Sequence, residues 1–168
     1  EAMVDGGVRD VFVSNEIVAR SKLRRLAALA RRATVSVAAD NPEVLPLMDA
    51  AAREFDVTLD VLVEANVMGA RAGVVPGEKV AALAQQIEAH KNLRFKGIHA
   101  YQGTAQHISG EEQRRQAIAK SVEQIALSKH LVEQAGLDCA VITGAGTGTF
   151  RFEAGSGTYT EIQPGSYI

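Results

Sequence analysis

Residues 34–43 read Thr34-Val35-Ser36-Val37-Ala38-Ala39-Asp40-Asn41-Pro42-Glu43, and this stretch decides how the chain is expected to fold. Its first six residues are β-branched or small and mostly apolar, which is typical of a strand covered on both faces. Asn41 and Pro42 then indicate a helix start, because asparagine caps helix N-termini and proline fits the first helical position. The stretch predicts a buried strand that passes through a short polar loop into a helix.

The same pattern recurs along the chain. Strands are predicted at residues 11–15, 34–39, 59–63, 95–101, 139–142 and 160–163, with helices between them. The first helix is expected over 17–32 and the third over 78–90. The longest is expected to open with the capping-box spacing of Ser109 and Glu112 and to stop at Gly136. Strands joined by crossovers of this length pair in parallel, so the class is α/β, either a doubly wound sheet or a (β/α) barrel.

Composition limits the class of protein further. The chain has 168 residues, 46% of them apolar and 23% charged, which predicts one globular domain over residues 1–168. A net charge of −2 argues against binding to nucleic acid or to an anionic membrane. No apolar run reaches the roughly 18 residues of a membrane span. The single cysteine, Cys139, forms no internal disulfide, so a cytoplasmic location is predicted.

Polar residues follow five successive predicted strands, at the ends where ligands bind in parallel α/β proteins. They are Ser14, Asn15 and Glu16; Asp40; Glu64, Asn66 and Arg71; Tyr101, Gln102, Gln106 and His107; and residues 143–149. Asn15 and Asp40 have two interpretations, as helix caps or as part of a site. The recurrence of polar ends indicates that this rim carries the functional site.

The clearest candidate for an anion site is Thr143-Gly144-Ala145-Gly146-Thr147-Gly148-Thr149-Phe150. Small residues let the backbone approach an anion closely and turn several N–H groups towards it, and threonine adds hydroxyl donors. The segment has neither the lysine of a P-loop nor the spacing of the dinucleotide fingerprint. Its position directly after a predicted buried strand favours a phosphate site over a plain flexible turn, which stays the alternative.

Three further side chains are candidates. Arg71 stands among small residues in the loop after a strand, which favours an anion or ring ligand over a solvated arginine. Tyr101 lies two residues from His99, so both belong to one strand face; His99 is interpreted as a packing residue. His107 is a candidate general acid or base. No spacing of His, Cys and carboxylates suggests a complete metal site.

Four motifs stand in a fixed order along the chain. They are Val63-Glu64-Ala65-Asn66-Val67 with Arg71-Ala72-Gly73-Val74; Ala100-Tyr101-Gln102-Gly103 with Gln106-His107; the segment 143–150; and Glu161-Ile162-Gln163-Pro164-Gly165-Ser166-Tyr167. In this order they resemble the family of D-threonine aldolase and 3-hydroxy-D-aspartate aldolase, to which D-serine dehydratase is related. The resemblance implies an alanine-racemase-type, TIM-type (β/α) barrel and pyridoxal phosphate as cofactor. It also implies a central fragment, with about six of the eight strands.

The resemblance assigns roles to individual residues. The cofactor phosphate would be held by Thr143, Gly144, Ala145, Gly146 and Thr147, with Tyr167 at the same edge. Arg71 would lie against the pyridine ring or its phenolic oxygen, and Tyr101 would line the cofactor face. His107 would be catalytic, and Gln102 and Gln106 would lie near the substrate. The implied enzyme is a carbon–carbon lyase that cleaves β-hydroxy-D-amino acids such as D-threonine or 3-hydroxy-D-aspartate, often with a divalent metal, Mg²⁺ or Mn²⁺.

The chain departs from the family pattern in several places. Residues 66–73 read Asn66-Val67-Met68-Gly69-Ala70-Arg71-Ala72-Gly73 where the family usually has Asp-Val-Gly-Met-Gly-Arg-Cys-Gly, and Ala145 replaces a glycine. The family's Schiff-base lysine on an early strand, and its metal ligands in a C-terminal β domain, match nothing here. None of the chain's six lysines stands at a predicted strand's C-terminal end.

Three hypotheses follow. The first is the lyase, inactive in this chain for want of that lysine. The second is a non-catalytic barrel fragment that binds pyridoxal phosphate or another phosphorylated metabolite. The third, a phosphosugar isomerase, explains the Thr/Gly segment but neither Arg71 nor residues 101–103. An open barrel exposes two sheet edges, so a homo-oligomer is predicted.

Overall fold

The computed structural model describes residues 1–68 and 71–166. The strands are β1 Asp10–Val13, β2 Thr34–Ala39, β3 Leu59–Glu64, β4 Leu93–Ala100, β5 Val141–Gly144 and β6 Glu161–Ile162. The α-helices are α1 Ala2–Asp5, α2 Arg20–Ala30, α3 Leu45–Glu54, α4 Glu78–Glu88, α5 Glu111–Gln134 and α6 Phe150–Ala154. Two 3₁₀ helices, Pro42–Val44 and Thr104–His107, follow β2 and β4.

The strand order settles the choice that composition left open. All six strands pair in parallel, in the order β1-β2-β3-β4-β5-β6, so each strand's neighbours in sequence are its neighbours in space. A doubly wound sheet reverses its strand order at a switch point, whereas a barrel does not. The predicted α/β class is confirmed, and the six strands form part of a TIM-type (β/α) barrel.

The two faces of the sheet differ in character. Residues such as Val37, Val61 and Ile98 are fully buried in one apolar core with the helices. The opposite face, which lines the interior of the barrel arc, carries buried polar side chains: Ser36, Asp60, Glu64, His99 and Thr143. The helices therefore cover one face of the sheet, and polar groups are concentrated on the other.

A β-bulge in β4 decides which of its residues face inward. Phe95 pairs with Val61, but Gly97 pairs with the next residue, Leu62, so Lys96 is the extra residue. Leu93 and Phe95 are in the helix-covered core before the bulge, and Ile98 and Ala100 are in it afterwards. This change of parity turns His99 to the inner face.

Several predicted boundaries differ from the structure; the first strand, for example, ends at Val13 rather than at residue 15. The first helix begins at Arg20 rather than residue 17, because Ala19 is extended (φ −80°, ψ 125°) and Ile17 packs against the core. The capping box is wrong: Gly110 is the N-cap residue, and the Glu112 carboxylate accepts from Arg115 at 2.6 and 2.9 Å instead. The fifth strand lies two residues later than predicted.

Other local expectations are confirmed. The Asn41 side chain accepts from the Glu43 N–H at 2.9 Å, so it caps the helix start as predicted. Gly136 follows α5 with a left-handed φ of 81°. Within the part of the chain described, no helix combines the length and the apolar character needed to cross a membrane.

Candidate functional site

The loops that follow β3, β4 and β5 enclose a cleft of about 710 Å³ at the C-terminal ends of the strands. Met68 and Arg71 line it from the first loop, residues of the segment 101–107 from the second, and Thr147 and Gly148 from the third. Parallel strands bring these ends to one rim, as the polar pattern predicted. Arg71, Tyr101, Gln106, His107 and Thr147 are therefore brought together around one space.

The Arg71 loop is fixed by side chains behind it. The Asn66 amide donates to the Arg71 carbonyl at 2.7 Å, and the Asp40 carboxylate accepts from the Gly73 N–H at 2.9 Å. Gly73 has a φ of 113°, and a Cβ there would lie 2.7 Å from the Asn66 nitrogen, so only glycine fits. Asp40 is thus a support of this loop and not a helix cap.

The Arg71 guanidinium lies over the Tyr101 ring, and both side chains line the cleft. The guanidinium carbon of Arg71 lies 5.8 Å from the centroid of the Tyr101 ring, within the range of a cation–π contact. Arg71 is exposed and Tyr101 is half-buried, so both stay accessible from the cleft. The pair presents a positive charge beside an aromatic ring, which suits an anionic aromatic ligand.

The turn after β5 has the features of an anion cradle. Ala145 takes a left-handed φ of 68°, the conformation that glycine adopts without cost, at the position where the family usually has glycine. A Cβ on Gly146 would lie 2.6 Å from the Tyr101 hydroxyl, so the backbone passes very close to the cleft wall. Among the described residues, the N–H groups of Gly146 and Thr147 have no hydrogen-bond partner. Free N–H groups beside a left-handed residue suit an anion.

Thr143 and Thr147, both predicted phosphate ligands, use their hydroxyls within the chain. The Thr143 hydroxyl donates to the Glu161 carboxylate and accepts from the Gln163 amide at 2.8 Å. The Thr147 hydroxyl accepts from the N–H groups of Gly165 and Ser166 at 3.1 and 3.0 Å. The Thr143 hydrogen is thus used within the chain, whereas among the described residues the Thr147 hydroxyl only accepts, so its hydrogen can join the backbone N–H groups in binding an anion.

Gly144 packs against the neighbouring strand, since a Cβ there would lie 2.2 Å from the Ala100 oxygen. Tyr167, the remaining predicted phosphate residue, lies outside the described residues.

The two glutamines predicted near the substrate hold loops together. The Gln102 amide donates to the Val67 carbonyl at 3.0 Å and accepts from the Thr104 hydroxyl at 2.6 Å. The Gln106 amide accepts from the Gly148 N–H and donates to the Thr149 hydroxyl, each at 2.8 Å. Gln106 lines the cleft with His107, which is exposed at the rim. Their roles towards a substrate stay predictions.

A buried pair on the inner face was not recognised from the sequence. His99 and Glu64 are 1% and 2% exposed, and Nδ1 of His99 is in hydrogen-bond contact with the Glu64 carboxylate. Nε2 of His99 lies 3.4 Å from the Gln163 amide oxygen, and Phe12 packs edge-on against the ring at 5.1 Å. A glutamate directly after three apolar residues was the available signal, but the partner lies 35 residues away.

Glu153 in α6 is a second buried carboxyl that the sequence did not indicate. It is 1% exposed, and burial raises its pKa above the ordinary value. One of its oxygens accepts from the Thr149 hydroxyl at 2.9 Å. Glu153 thereby lies directly behind the turn that lines the cleft.

Comparisons with known proteins show which family this chain resembles. The family model described as alanine racemase, N-terminal domain, matches residues 6–168. A D-threonine aldolase from Arthrobacter sp is 40% identical over 164 residues, which are 98% of this chain and 43% of that protein. A 3-hydroxy-D-aspartate aldolase from Paracoccus denitrificans (strain Pd 1222) is 38% identical over 168 residues, or 99% of this chain and 43% of that protein.

Solved structures of related proteins also superpose on this chain. The crystal structure of D-threonine aldolase from Filomicrobium marinum matches 99% of this chain and 45% of its own, with a TM-score of 0.97 and 38% identity. D-threo-3-hydroxyaspartate dehydratase from Delftia sp. HT23 matches 99% of this chain and 44% of its own with a TM-score of 0.82, but at 19% identity it shows the fold alone. The chain spans less than half the length of these relatives. It belongs to the alanine racemase N-terminal domain family.

Proposed function

We propose that the cleft binds pyridoxal phosphate, and that the chain is the cofactor-holding barrel region of a carbon–carbon lyase for β-hydroxy-D-amino acids such as D-threonine or 3-hydroxy-D-aspartate. The observation that carries the proposal is the convergence of Arg71, Tyr101 and the 143–149 turn on one cleft. The relatives named as D-threonine and 3-hydroxy-D-aspartate aldolases support it.

The cradle fits the phosphate group. Gly146 leaves no room for a side chain, and the N–H groups of Gly146 and Thr147 are unpaired within the described chain. Arg71 adds a positive charge in the same cleft. Hydrogen bonds to a charged phosphate are about twice as strong as neutral ones, so a few donors suffice.

The cleft wall beside the turn fits the pyridine ring. Tyr101 offers a half-buried ring face, and the Arg71 guanidinium over it would hold the phenolic oxygen. When bound, the protonated ring supplies an electron sink for the electron pair left on the substrate Cα. The chain's own contribution is to bind and orient these groups, and Gly103 and Thr104 complete the wall.

His107 is the residue that we propose to move a proton. Its imidazole lies exposed at the cleft rim, where a substrate hydroxyl would enter. As a general base it would take the proton from the β-hydroxyl oxygen while the Cα–Cβ bond breaks. Mg²⁺ or Mn²⁺ belongs to the proposal for the whole enzyme; among residues 1–68 and 71–166, no group of three or more His, Cys, Asp or Glu could hold a metal ion. Cytoplasmic location and homo-oligomer formation stay predictions.

The positions of the lysines favour a second function. All six lysines lie among the described residues, and none of them lines the cleft. Lys96, for example, lies 3.6 Å from Asp60, near the start of β3 and away from the C-terminal ends of the strands. A chain without a lysine at the cofactor would hold pyridoxal phosphate without covalent attachment. This observation favours a binding region that performs no cleavage by itself.

Titration with pyridoxal phosphate, followed by an assay of D-threonine cleavage, tests both functions. Arg71→Gln should weaken cofactor binding about tenfold or more, because a charge-assisted contact is lost. Arg53→Gln is the matched control, since Arg53 is also exposed but lies on α3 away from the cleft. Cofactor binding with cleavage supports the lyase, and binding without cleavage supports the second function. Equal affinity of both variants and the unaltered chain would contradict the proposed site.

A further inference from the structure

We propose that Gln106, Thr149 and Glu153 form a clamp that fixes the path of the phosphate-binding turn, so that Gln106 is a positioning residue and does not touch the substrate. We call these three residues the Gln106 clamp. The inference rests on the proposed function for the identity of the bound anion. The geometry of the clamp itself is independent of any bound molecule.

Both N–H groups of the Gln106 side-chain amide, and one acceptor site of its oxygen, are used by contacts within the chain. Its oxygen accepts from the Gly148 N–H at 2.8 Å, and its nitrogen donates to the Thr149 hydroxyl at 2.8 Å and to the Gln102 carbonyl at 3.3 Å. Gln106 lies in the 3₁₀ helix after β4, and its two partners in the turn lie 42 and 43 residues further on. The amide therefore joins two loops that are far apart in the sequence.

The direction of the hydrogen bonds follows from the chemistry of each group. The Thr149 hydroxyl accepts from the Gln106 amide nitrogen, so its own hydrogen is available to Oε1 of Glu153 at 2.9 Å. Oε2 of Glu153 has no hydrogen-bond partner among the described residues, and burial raises the pKa of this carboxyl. The chain of bonds thus runs from the cleft wall to a buried carboxyl behind the turn.

The clamp decides which N–H groups of the turn remain for an anion. The Gly148 N–H is turned to Gln106, whereas those of Gly146 and Thr147 have no partner within the described chain. Gln106 also packs on the turn, since a Cβ on Gly146 would lie 2.5 Å from its Cδ. Both amide N–H groups of Gln106 are already donated within the chain, so an anion could bond to them only by displacing these contacts. Gln106 therefore acts on the phosphate through the turn.

The first test needs no bound molecule. Amide hydrogen exchange measured by NMR should show a protected Gly148 N–H in the unaltered chain. Gln106→Met keeps the side-chain length without hydrogen bonding and should speed that exchange by about tenfold. Gln86→Met, on the exposed face of α4, is the matched control and should leave the exchange unchanged. Unchanged Gly148 exchange in Gln106→Met would overturn the clamp.

The second test separates positioning from direct contact. In Gln106→Met the affinity for pyridoxal phosphate should fall about tenfold, while that for pyridoxal, which lacks the phosphate, should stay the same. Equal losses for both compounds would mean direct contact with the ligand and would overturn the positioning role. If the unaltered chain binds neither compound, the proposed function fails, whereas Gly148 exchange still decides the clamp.

Thr149 provides a check if Gln106→Met does not fold. Thr149→Ser keeps the hydroxyl and should preserve the protection of the Gly148 N–H and the affinity for pyridoxal phosphate. Thr149→Val keeps the shape without the hydroxyl and should lose both to a similar degree as Gln106→Met. Identical Gly148 exchange in the serine and valine variants would contradict the role of the hydroxyl in the clamp.

Discussion

Replacing Gly146 by alanine tests the close approach on which the candidate site depends. An ideal Cβ at Gly146 would lie 2.5 Å from Cδ of Gln106, 2.6 Å from its Oε1 and 2.6 Å from the hydroxyl oxygen of Tyr101. All three distances are shorter than real Cβ contacts, so the glutamine, the tyrosine or the turn has to move. The close atoms all belong to the side chains of Gln106 and Tyr101, so the free-energy cost of the substitution depends on the contacts that keep these two side chains in place.

The magnitude follows from the contacts that would be lost. Moving Gln106 breaks its hydrogen bonds to Gly148 and Thr149, each worth about 1 kcal/mol net. Moving Tyr101 away from Arg71 loses a further ~0.5–1 kcal/mol of cation–π contact. We therefore expect Gly146→Ala to lower the free energy of unfolding by about 2–3 kcal/mol, or to weaken pyridoxal phosphate binding by a comparable amount if the turn moves instead.

The matched control is Gly165→Ala. No atom lies within 4 Å of a Cβ at Gly165, and this glycine does not have a positive φ. Both substitutions reduce the flexibility of the unfolded chain equally, so the difference between them isolates the steric effect. Urea unfolding followed by circular dichroism gives the stability, and a titration with pyridoxal phosphate gives the affinity. Equal values for the two variants in both assays would refute the close approach.

Three further predictions concern buried groups. Burial raises the pKa of Glu153 in the folded chain above its ordinary value of 4.5. The contribution of this carboxyl to the free energy of unfolding is therefore fully present below pH 4.5, and it is lost as the pH rises through the raised pKa. Thermal unfolding of Glu153→Gln should therefore lack this decline, whereas an unchanged pH profile would contradict it. His99→Leu should cost about 3–5 kcal/mol in urea unfolding because it leaves Glu64 buried and unpaired. The double variant His99→Leu with Glu64→Leu should lose less free energy of unfolding than the two single variants lose together. Losses that simply add would argue against an interaction between His99 and Glu64. Burial raises the pKa of Cys139 to about 11, so iodoacetamide at mildly alkaline pH should label it only in urea; rapid labelling of the folded chain would contradict its burial.

Much of the fold was predictable because its signals are local. Residues 34–43 contain a strand, its polar end and a capped helix start, and the structure confirms each of them. The gathering of Arg71, Tyr101 and the 143–149 turn was also predictable, because the C-terminal ends of parallel strands meet at one rim. The roles assigned to these residues rest on the resemblance and remain to be tested.

Other features depend on partners far away in the chain. The choice between a barrel and a doubly wound sheet required the spatial order of the strands. The bulge at Lys96, which turns His99 inward, breaks the simple alternation of a strand, and Gly97 next to it was a weak local signal. The role of Gln106 likewise depends on Gly148 and Thr149, 42 and 43 residues away. Ser109 and Glu112 had the right spacing for a capping box, but the neighbouring Arg115 bonds the carboxylate instead.

A crystal structure of this chain grown with pyridoxal phosphate tests the central claim most directly. The account predicts the phosphate within hydrogen-bond distance of the Gly146 and Thr147 N–H groups, and the pyridine ring against the cleft wall that Tyr101 and Arg71 form. Pyridoxal phosphate bound elsewhere on the chain, or a cleft without it at saturating concentration, would contradict the account.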